Sequence, residues 1–450
     1  MKPMLVKNLR WVLRKLAQLT IWKYRPGVVG ITGSVGKTSA KAAIKAVLDG
    51  ERNVRASGGN LNNELGLPLT ILGNWSEKEL ALVSLEQPAG TARVRKIFFW
   101  FKVIAVSVFR LAFVPKSNYP EILILEYGAD KPGDIKDLLN IVRPNISVIT
   151  AIGEIPVHVE FYSGPDEVAR EKGRLIEYLP VAGLAILNYD DKRVLELKER
   201  TRAHVITFGF NKGAEIRITR FSAGGGPFSE RENSSEEERP VGISFKLEHL
   251  GHSVPVRLEG VFGKSHAYAA AAAAAVGAAF GINLLRISEN LLKYRPAGSR
   301  MQIRPGAADT WIIDDSYNAS PLSVQAALES LEHLRAKRKV AVLGDMLELG
   351  KYETDEHKRV GRQAAKSCDI LITVGLRAKF IAEGAHEAGL RKNKIFSFDS
   401  ADDAIAPIQQ SLKKGDVLLI KGSHGMRLSK IVHEIKRKEA HSDSFFSHYA

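Results

Sequence analysis

A strand that runs into a glycine turn and leaves it through a Lys-Thr helix start has few possible uses. Residues 28–39, Val-Val-Gly-Ile-Thr-Gly-Ser-Val-Gly-Lys-Thr-Ser, are such a stretch. Val28–Thr32 reads as a buried strand, Gly33 to Gly36 as the turn, and Lys37 onward as helix. Backbone N–H groups at the turn and the helix N-terminus face an anion, Lys37 neutralises it, and the Thr38 hydroxyl reaches Mg²⁺. Gly33, Ser34, Val35, Gly36, Lys37, Thr38 and Ser39 are therefore the expected nucleotide cradle, with ATP and Mg²⁺ as the cofactors. The loop is short. The general pattern puts a glycine five places before Gly36, where Ile31 stands, leaving Gly-x-x-Gly-Lys-Thr.

Downstream, short apolar runs alternate with helical stretches: Ile122–Leu125, Ile146–Thr150, Leu184–Leu187 and Val205–Phe208. That rhythm predicts an α/β fold, a central P-loop domain on a mostly parallel, doubly wound sheet. Residues 222–239, rich in Gly, Ser and Glu, are expected to be a disordered loop between strands of an antiparallel appendage. The run Ala267–Ala279 predicts a tightly packed helix. After a Pro-Ala-Gly-Ser linker at 296–299 a second alternating set begins: Trp311–Ile313, Val340–Leu343, Ile370–Val374 and Val417–Ile420. It predicts a C-terminal Rossmann-like α/β domain. The expected divisions are a basic amphipathic helix over 1–26, the central domain over 27–298 and the C-terminal domain over 299–450. The tail after Lys436 is expected to fray.

Charge is concentrated. Of a net +15, residues 1–26 contribute seven Lys/Arg and residues 88–118 six, with no Asp or Glu in either. Leu5, Leu9, Val12, Leu16 and Leu19 form one face of the first segment. The second holds the apolar insert 93–116, whose core Ile97–Val114 includes Lys102 and Arg110. Basic and aromatic-apolar helices fit an anionic membrane surface better than nucleic acid, so no nucleic-acid partner is expected. Ile97–Val114 is barely long enough to span a bilayer. A single crossing would also put Lys37 and Glu126 on opposite sides. The segment either lies on the membrane beside the first helix or packs with that helix over the acceptor site; the two are compatible. One cysteine, Cys368, excludes a disulfide framework and fits a reducing compartment. A cytoplasmic monomer is expected, with possible association at the inner membrane face.

Other candidates lie at strand ends, where ligands bind in open α/β sheets. Glu126 closes Ile-Leu-Ile-Leu-Glu and could hold Mg²⁺ or serve as a cap. His158 sits in a loop, where a lone histidine more commonly has no metal role. Lys172, on a predicted helix Pro165–Leu179, reads by itself as a solvated lysine. Asp314-Asp315-Ser-Tyr317-Asn318 suits ribose or a polar substrate, or equally a turn.

Together these residues resemble a family. Gly33–Ser39, Asn60-Leu-Asn62-Asn63-Glu64, Glu126-Tyr-Gly-Ala, His158-Val-Glu and Glu171-Lys172 resemble the ATP-dependent Mur ligases of peptidoglycan synthesis. Asp315-Ser-Tyr-Asn-Ala-Ser-Pro, Gly344-Asp-Met-Leu-Glu-Leu-Gly350 and Lys421-Gly-Ser-His-Gly-Met-Arg427 resemble the MurF type. The resemblance runs from about residue 27 to 435. It implies an ATP-dependent C–N ligase that activates a muramoyl-peptide carboxylate as an acyl phosphate and joins it to D-Ala-D-Ala or a similar amine. It also implies roles. Lys37 meets the β/γ-phosphates; Thr38 and Glu126 hold Mg²⁺; His158 and Lys172, the latter as a carbamate, hold a second. Arg300 faces the phosphates across the domain gap, and Asp315 and Asn318 belong to the nucleotide side. Asn60, Asn62, Asn63, Glu64, Tyr317, Lys421, Ser423 and Arg427 face the substrates. The chain departs from the family at Ala269, Ser320 and His424, where Asn, Asn and Arg are usual. Only about 26 residues precede the loop strand, so the family's UDP-binding domain is expected to be missing. Two alternatives stay open: a Mur-type ligase for a different acceptor, such as a lipid-linked muropeptide or a polyglutamate-like acid, and a membrane-docking nucleotide-binding module without turnover.

Overall fold

Parallel strand pairing organises the first of two sheets. The computed structural model describes residues 3–83, 93–224 and 242–436. Strands β1 (Gly27–Thr32), β2 (Val54–Ala56), β3 (Ile122–Glu126), β4 (Ile146–Ile149), β5 (Leu184–Asn188), β6 (His204–Gly209), β7 (Ile216–Gly224), β8 (Gly242–His249) and β9 (His252–Glu259) form one sheet. Its order is β2-β3-β1-β4-β5-β6-β7-β8-β9. β2 through β7 pair in parallel. β3 and β4 follow one another in the chain yet flank β1 on opposite sides. The order therefore reverses at β1, and a crevice opens beyond its carboxyl end. β8 and β9 make a hairpin on Leu250–Gly251, both at positive φ, as a two-residue primed turn requires.

The chain divides into two compact units near Ala297–Gly298, with residues 222–224, 242–244 and 259–264 grouped with the second. The second unit's six strands are β10 (Gln302–Pro305), β11 (Trp311–Asp315), β12 (Arg338–Gly344), β13 (Ile370–Val374), β14 (Ile395–Phe398) and β15 (Asp416–Lys421). They run in the order β10-β11-β15-β12-β13-β14. Only β10 is antiparallel to its neighbour. β2, β10 and β14 are additions to the strands expected from apolar runs. Of the segment 222–239, residues 222–224 end β7; the rest, like the tail beyond Lys436, lies outside the described residues.

Helices α1 (Pro3–Tyr24), α2 (Lys37–Leu48), α3 (Gly66–Leu72), α4 (Glu77–Ala81), α5 (Arg93–Phe113), α6 (Asp134–Leu139) and α7 (Pro165–Glu177) belong to the first unit. α1 is part of its core. Ala17 and Tyr24 pack with Val28, Leu67, Leu123 and Tyr127. Leu13 joins Leu69 and Leu72 of α3 and Phe99, Trp100 and Val103 of α5 in a second cluster. Lys23 and Tyr24 lock the pair: Lys23 Nζ donates to Leu111 O (2.9 Å) and Val114 O (2.8 Å), and Tyr24 Oη to Arg110 O (2.6 Å). The bond to Leu111 O satisfies a carbonyl that the end of α5 would leave without a partner. Arg110 Nη1 in turn donates to Leu72 O at 2.6 Å. The two basic segments thus pack together on α3. Among the described residues no helix is long and apolar enough to cross a membrane.

If α1 is a core element, shaving its buried face must destabilise the whole unit. Leu13→Ala is expected to cost about 2–4 kcal/mol in urea unfolding of the full chain. Trp11→Ala, on the exposed face, is expected to change stability by no more than about 0.5 kcal/mol.

Candidate active site

The loop after β1 is shaped by its neighbour β4. Gly33 has φ +148°, and a Cβ there would stand 2.1 Å from Thr150 Oγ1; Gly36 has φ +91°. Both positions need glycine. Thr150 donates its hydroxyl to Val35 O at 2.6 Å, and Ser34 N–H donates to Ala151 O at 2.7 Å. The loop is therefore fastened across the reversal point of the sheet. Lys37 Nζ reaches back to Gly33 O at 2.6 Å. Ser34 Oγ is buried without a hydrogen-bond partner, which fits a cradle built for an anion's oxygens.

Behind the loop lies a charge cluster. Thr38 Oγ1 donates to Glu126 Oε2 across 3.4 Å. Lys41 Nζ lies 2.7 Å from Glu126 Oε1 and also donates to Ser57 Oγ (3.1 Å) and Gly59 O (2.8 Å). Glu126 and Lys41 are both buried. Sequence reading missed Lys41. Its signal was position: one helical turn beyond Lys37 it shares that residue's face. Among the described residues no three His, Cys, Asp or Glu side chains gather into a metal cage. A hydroxyl and one carboxylate beside a phosphate cradle nevertheless fit Mg²⁺, which takes few protein ligands and shares the nucleotide's oxygens.

A second group forms around α7. Lys172, read from sequence alone as solvated, is fully buried. Burial, then the nearby Lys37 charge, pushes its amine down to about 7; Asp130, Glu171 and Asp134 oppose this. Asp130, four residues past Glu126 and not foreseen, lies 3.4 Å from His158 Nε2. His158 holds a left-handed backbone, φ 65°, a strained conformation that concentrates at functional sites. Glu171 is occupied, accepting from Ile135 N (2.9 Å) and Arg174 Nε (2.8 Å).

The loop Asn60–Glu64 divides its roles. Asn63 Oδ1 accepts from Leu65 N and Gly66 N at the start of α3, so its side chain caps that helix. Glu64 pairs with Arg10 of α1 at 2.6 Å. Asn62 O accepts from Gly128 N, fixing the loop beside the end of β3.

In the second unit Asp315 and Lys421, expected to meet different ligands, meet each other. Their strands pair in register, and Lys421 Nζ lies 2.6 Å from Asp315 Oδ2 and 2.8 Å from Asn318 O. Burial raises the Asp315 carboxyl, against the pull of Lys421. The Arg300 guanidinium sits 4.0 Å from the centre of the Tyr317 ring, and Tyr317 packs on His424. Ser423 Oγ accepts from Leu347 N, tying the last motif to 344–350. His357, also unforeseen, holds that segment. Burial lowers its pKa, and the neutral ring accepts Met346 N–H at Nε2 (3.0 Å) while Nδ1–H donates to Glu353 O (2.7 Å). Arg427 adopts φ 53° at the end of its turn.

Known proteins carry the same parts. The Mur ligase middle domain matches residues 105–277 and the Mur ligase glutamate ligase domain residues 299–424. A UDP-N-acetylmuramoyl-tripeptide–D-alanyl-D-alanine ligase of Mycobacterium bovis is 30% identical over 427 residues, covering 90% of this chain and 72% of that protein. The chain belongs to the Mur ligase family. The enzyme of the same description from Bacillus subtilis is 29% identical, over 96% of this chain and 80% of its own. In fold, the crystal structure of the MurF ligase of Thermotoga maritima in complex with ADP superposes with a TM-score of 0.71 at 23% identity, covering 94% of this chain and 83% of that one. Mur ligases are ATP-dependent enzymes that form C–N bonds, and both of this chain's units have counterparts in them.

A buried amine that titrates near 7 leaves a mark on stability. The unfolded lysine titrates near 10.5, so between about 7 and 10.5 the unfolded chain binds more protons than the folded one. Stability of the nucleotide-free, metal-free protein should therefore rise with pH across that window. Lys172→Met should flatten the rise and stabilise the fold at pH 7 by about 2–4 kcal/mol. Urea titrations at pH 7, 8 and 9 check both effects.

Proposed function

We propose that the chain is a MurF-like ligase. On this reading a muramoyl-peptide carboxylate oxygen attacks the γ-phosphorus of ATP, ADP departs, and an acyl phosphate forms. The amine of D-Ala-D-Ala or a close analogue then attacks the acyl carbon, loses a proton and expels inorganic phosphate. The observation that carries it is the pairing of the glycine loop with two charge groups at one sheet edge, Thr38–Glu126–Lys41 and His158–Asp130–Lys172. The relatives named above support the choice of substrates.

The roles follow from chemistry. Gly33 to Ser39 offer N–H groups and hydroxyls to the phosphates, and Lys37 exchanges its bond to Gly33 O for the β/γ-phosphate oxygens. Thr38 and Glu126 would hold one Mg²⁺, which supplies charge neutralisation on the transferring phosphoryl group. Lys172, half neutral at pH 7, would add CO₂ through its neutral amine, the new N–C bond replacing an N–H bond whose proton is lost to solvent, and so become a carbamate. With His158 it would then be an anionic ligand pair for a second ion. Asn60 and Asn62 would contact the acid. In the second unit Arg300 would meet phosphate oxygens. The Asp315–Lys421 pair would orient Asn318 and Tyr317 toward the nucleotide or amine, with Ser423 and Arg427 beside them. The proposed setting is the cytoplasm, at the inner face of an anionic membrane.

The test is phosphate release from ATP over a matrix of acids and amines. Turnover with UDP-muramoyl tripeptide plus D-Ala-D-Ala is expected, and Lys37→Ala should lower it by at least about 10²-fold. Amine-dependent turnover with a different acid only would reject the substrate assignment.

A further inference from the structure

α5 is buried along one side and apolar along the other. Phe99, Trp100 and Val103 face the cluster shared with α1 and α3. At 100° per residue, Ile97, Phe98, Phe101, Val108 and Phe109 fall within about 120° on the opposite side. No charged residue lies in that arc. All five are exposed, Phe98 by 72% and Phe101 by 68%. α1 repeats the arrangement. Leu13 and Ala17 are buried, while Trp11 and Trp22 lie on the opposite side, exposed by 62% and 72%. Since both helices bury their inner faces in the same unit, both aromatic faces look outward from it. Contiguous exposure of this kind marks an interaction surface.

Charge identifies the occupant. Residues 1–26 and 88–118 carry thirteen Lys/Arg between them and no acidic residue; of these, Arg10 and Lys102 are paired with Glu64 and Glu79. A second copy docked face to face would oppose two such sets of like charge. An anionic lipid surface would instead match them, with Phe and Trp at the acyl boundary and Lys/Arg at the headgroups. The fold excludes a crossing, because α5 leaves from and returns to one sheet, between β2 and β3. Lys23 and Arg110 are already committed to carbonyls within the layer, so its packing does not depend on lipid.

We propose that α1 and α5 form a rigid two-helix platform that lies in the plane of an anionic bilayer and inserts the Phe98–Phe101–Phe109 face of α5. This rests on the membrane setting proposed above, and not on the ligase chemistry. The platform also touches the loop assigned to the acid. Arg10 pairs with Glu64, and Leu61 and Leu65 pack on the α1–α5 cluster. Docking would therefore set the acceptor loop at a fixed height over the lipid.

The test is co-sedimentation of the full chain with vesicles of phosphatidylcholine alone or with 30% phosphatidylglycerol (about physiological surface charge) at low salt. At least tenfold tighter binding to the anionic vesicles is expected, with loss of binding at high salt. The Phe98→Asp/Phe101→Asp variant should lose at least tenfold, with unchanged thermal unfolding and unchanged ATP binding in solution. Equal binding by the variant, or no preference for anionic vesicles, would overturn the proposal. So would a concentration-dependent dimer that the same variant abolishes. ATP binding without vesicles is read separately, so a failed docking and a failed ligase assignment give different results.

Discussion

The candidate site of the first unit hangs on how the two residues after β4 grip the loop that follows β1. The Thr150 hydroxyl and the Ala151 carbonyl hold Val35 and Ser34 in place, and the same grip leaves no room for a side chain at Gly33. Because β3 flanks β1 on the other side, Glu126 emerges next to Thr38 without any further device. One reversal in strand order therefore brings the anion cradle and the carboxylate together. α7 then has only to lay Lys172 against that edge for the second charge group to form.

Much of this was legible in the residues. Buried parallel strands read as plain apolar runs, so β1, β3, β4, β5 and β6 stood out, as did the glycine loop and the helix starting at Lys37. Short or edge strands did not: β2 has three residues, and β14 is a half-exposed Ile-Phe-Ser-Phe. The placement of Lys37 and Thr38 at the start of α2, and of Glu126 at the end of β3, was legible from identity and position alone. It was hidden where tertiary burial decides. Nothing local distinguishes Lys172 from a solvated helix lysine. Nothing local announces that Asp315 and Lys421, more than a hundred residues apart, will neutralise each other. Nor does anything local announce that the Asn63 side chain will hold the N–H groups at the start of α3.

The N-terminal helix and the insert show how surface pattern and packing separate. Their charge and aromatic content were evident at once, but the sequence left two uses open, packing on the protein or facing lipid. The structure buries one side of each helix and leaves the other side exposed. Leu13 and Val103 serve the core, and Trp22 and Phe101 do not. A single periodic pattern thus encodes two faces, and only the inner one is explained by the fold.

The Glu126–Lys41 pair has a consequence for how the site waits. A buried carboxylate with no partner would either take up a proton or strain the fold. Here Lys41 keeps it matched, so the carboxylate can stay buried at the end of β3 without any further cation. Lys41 is itself held by Ser57 and Gly59, so it would keep two partners if its hold on Glu126 were broken. Any cation brought to Glu126 would therefore be in competition with an internal one, and its affinity would be a difference between two claims on one carboxylate.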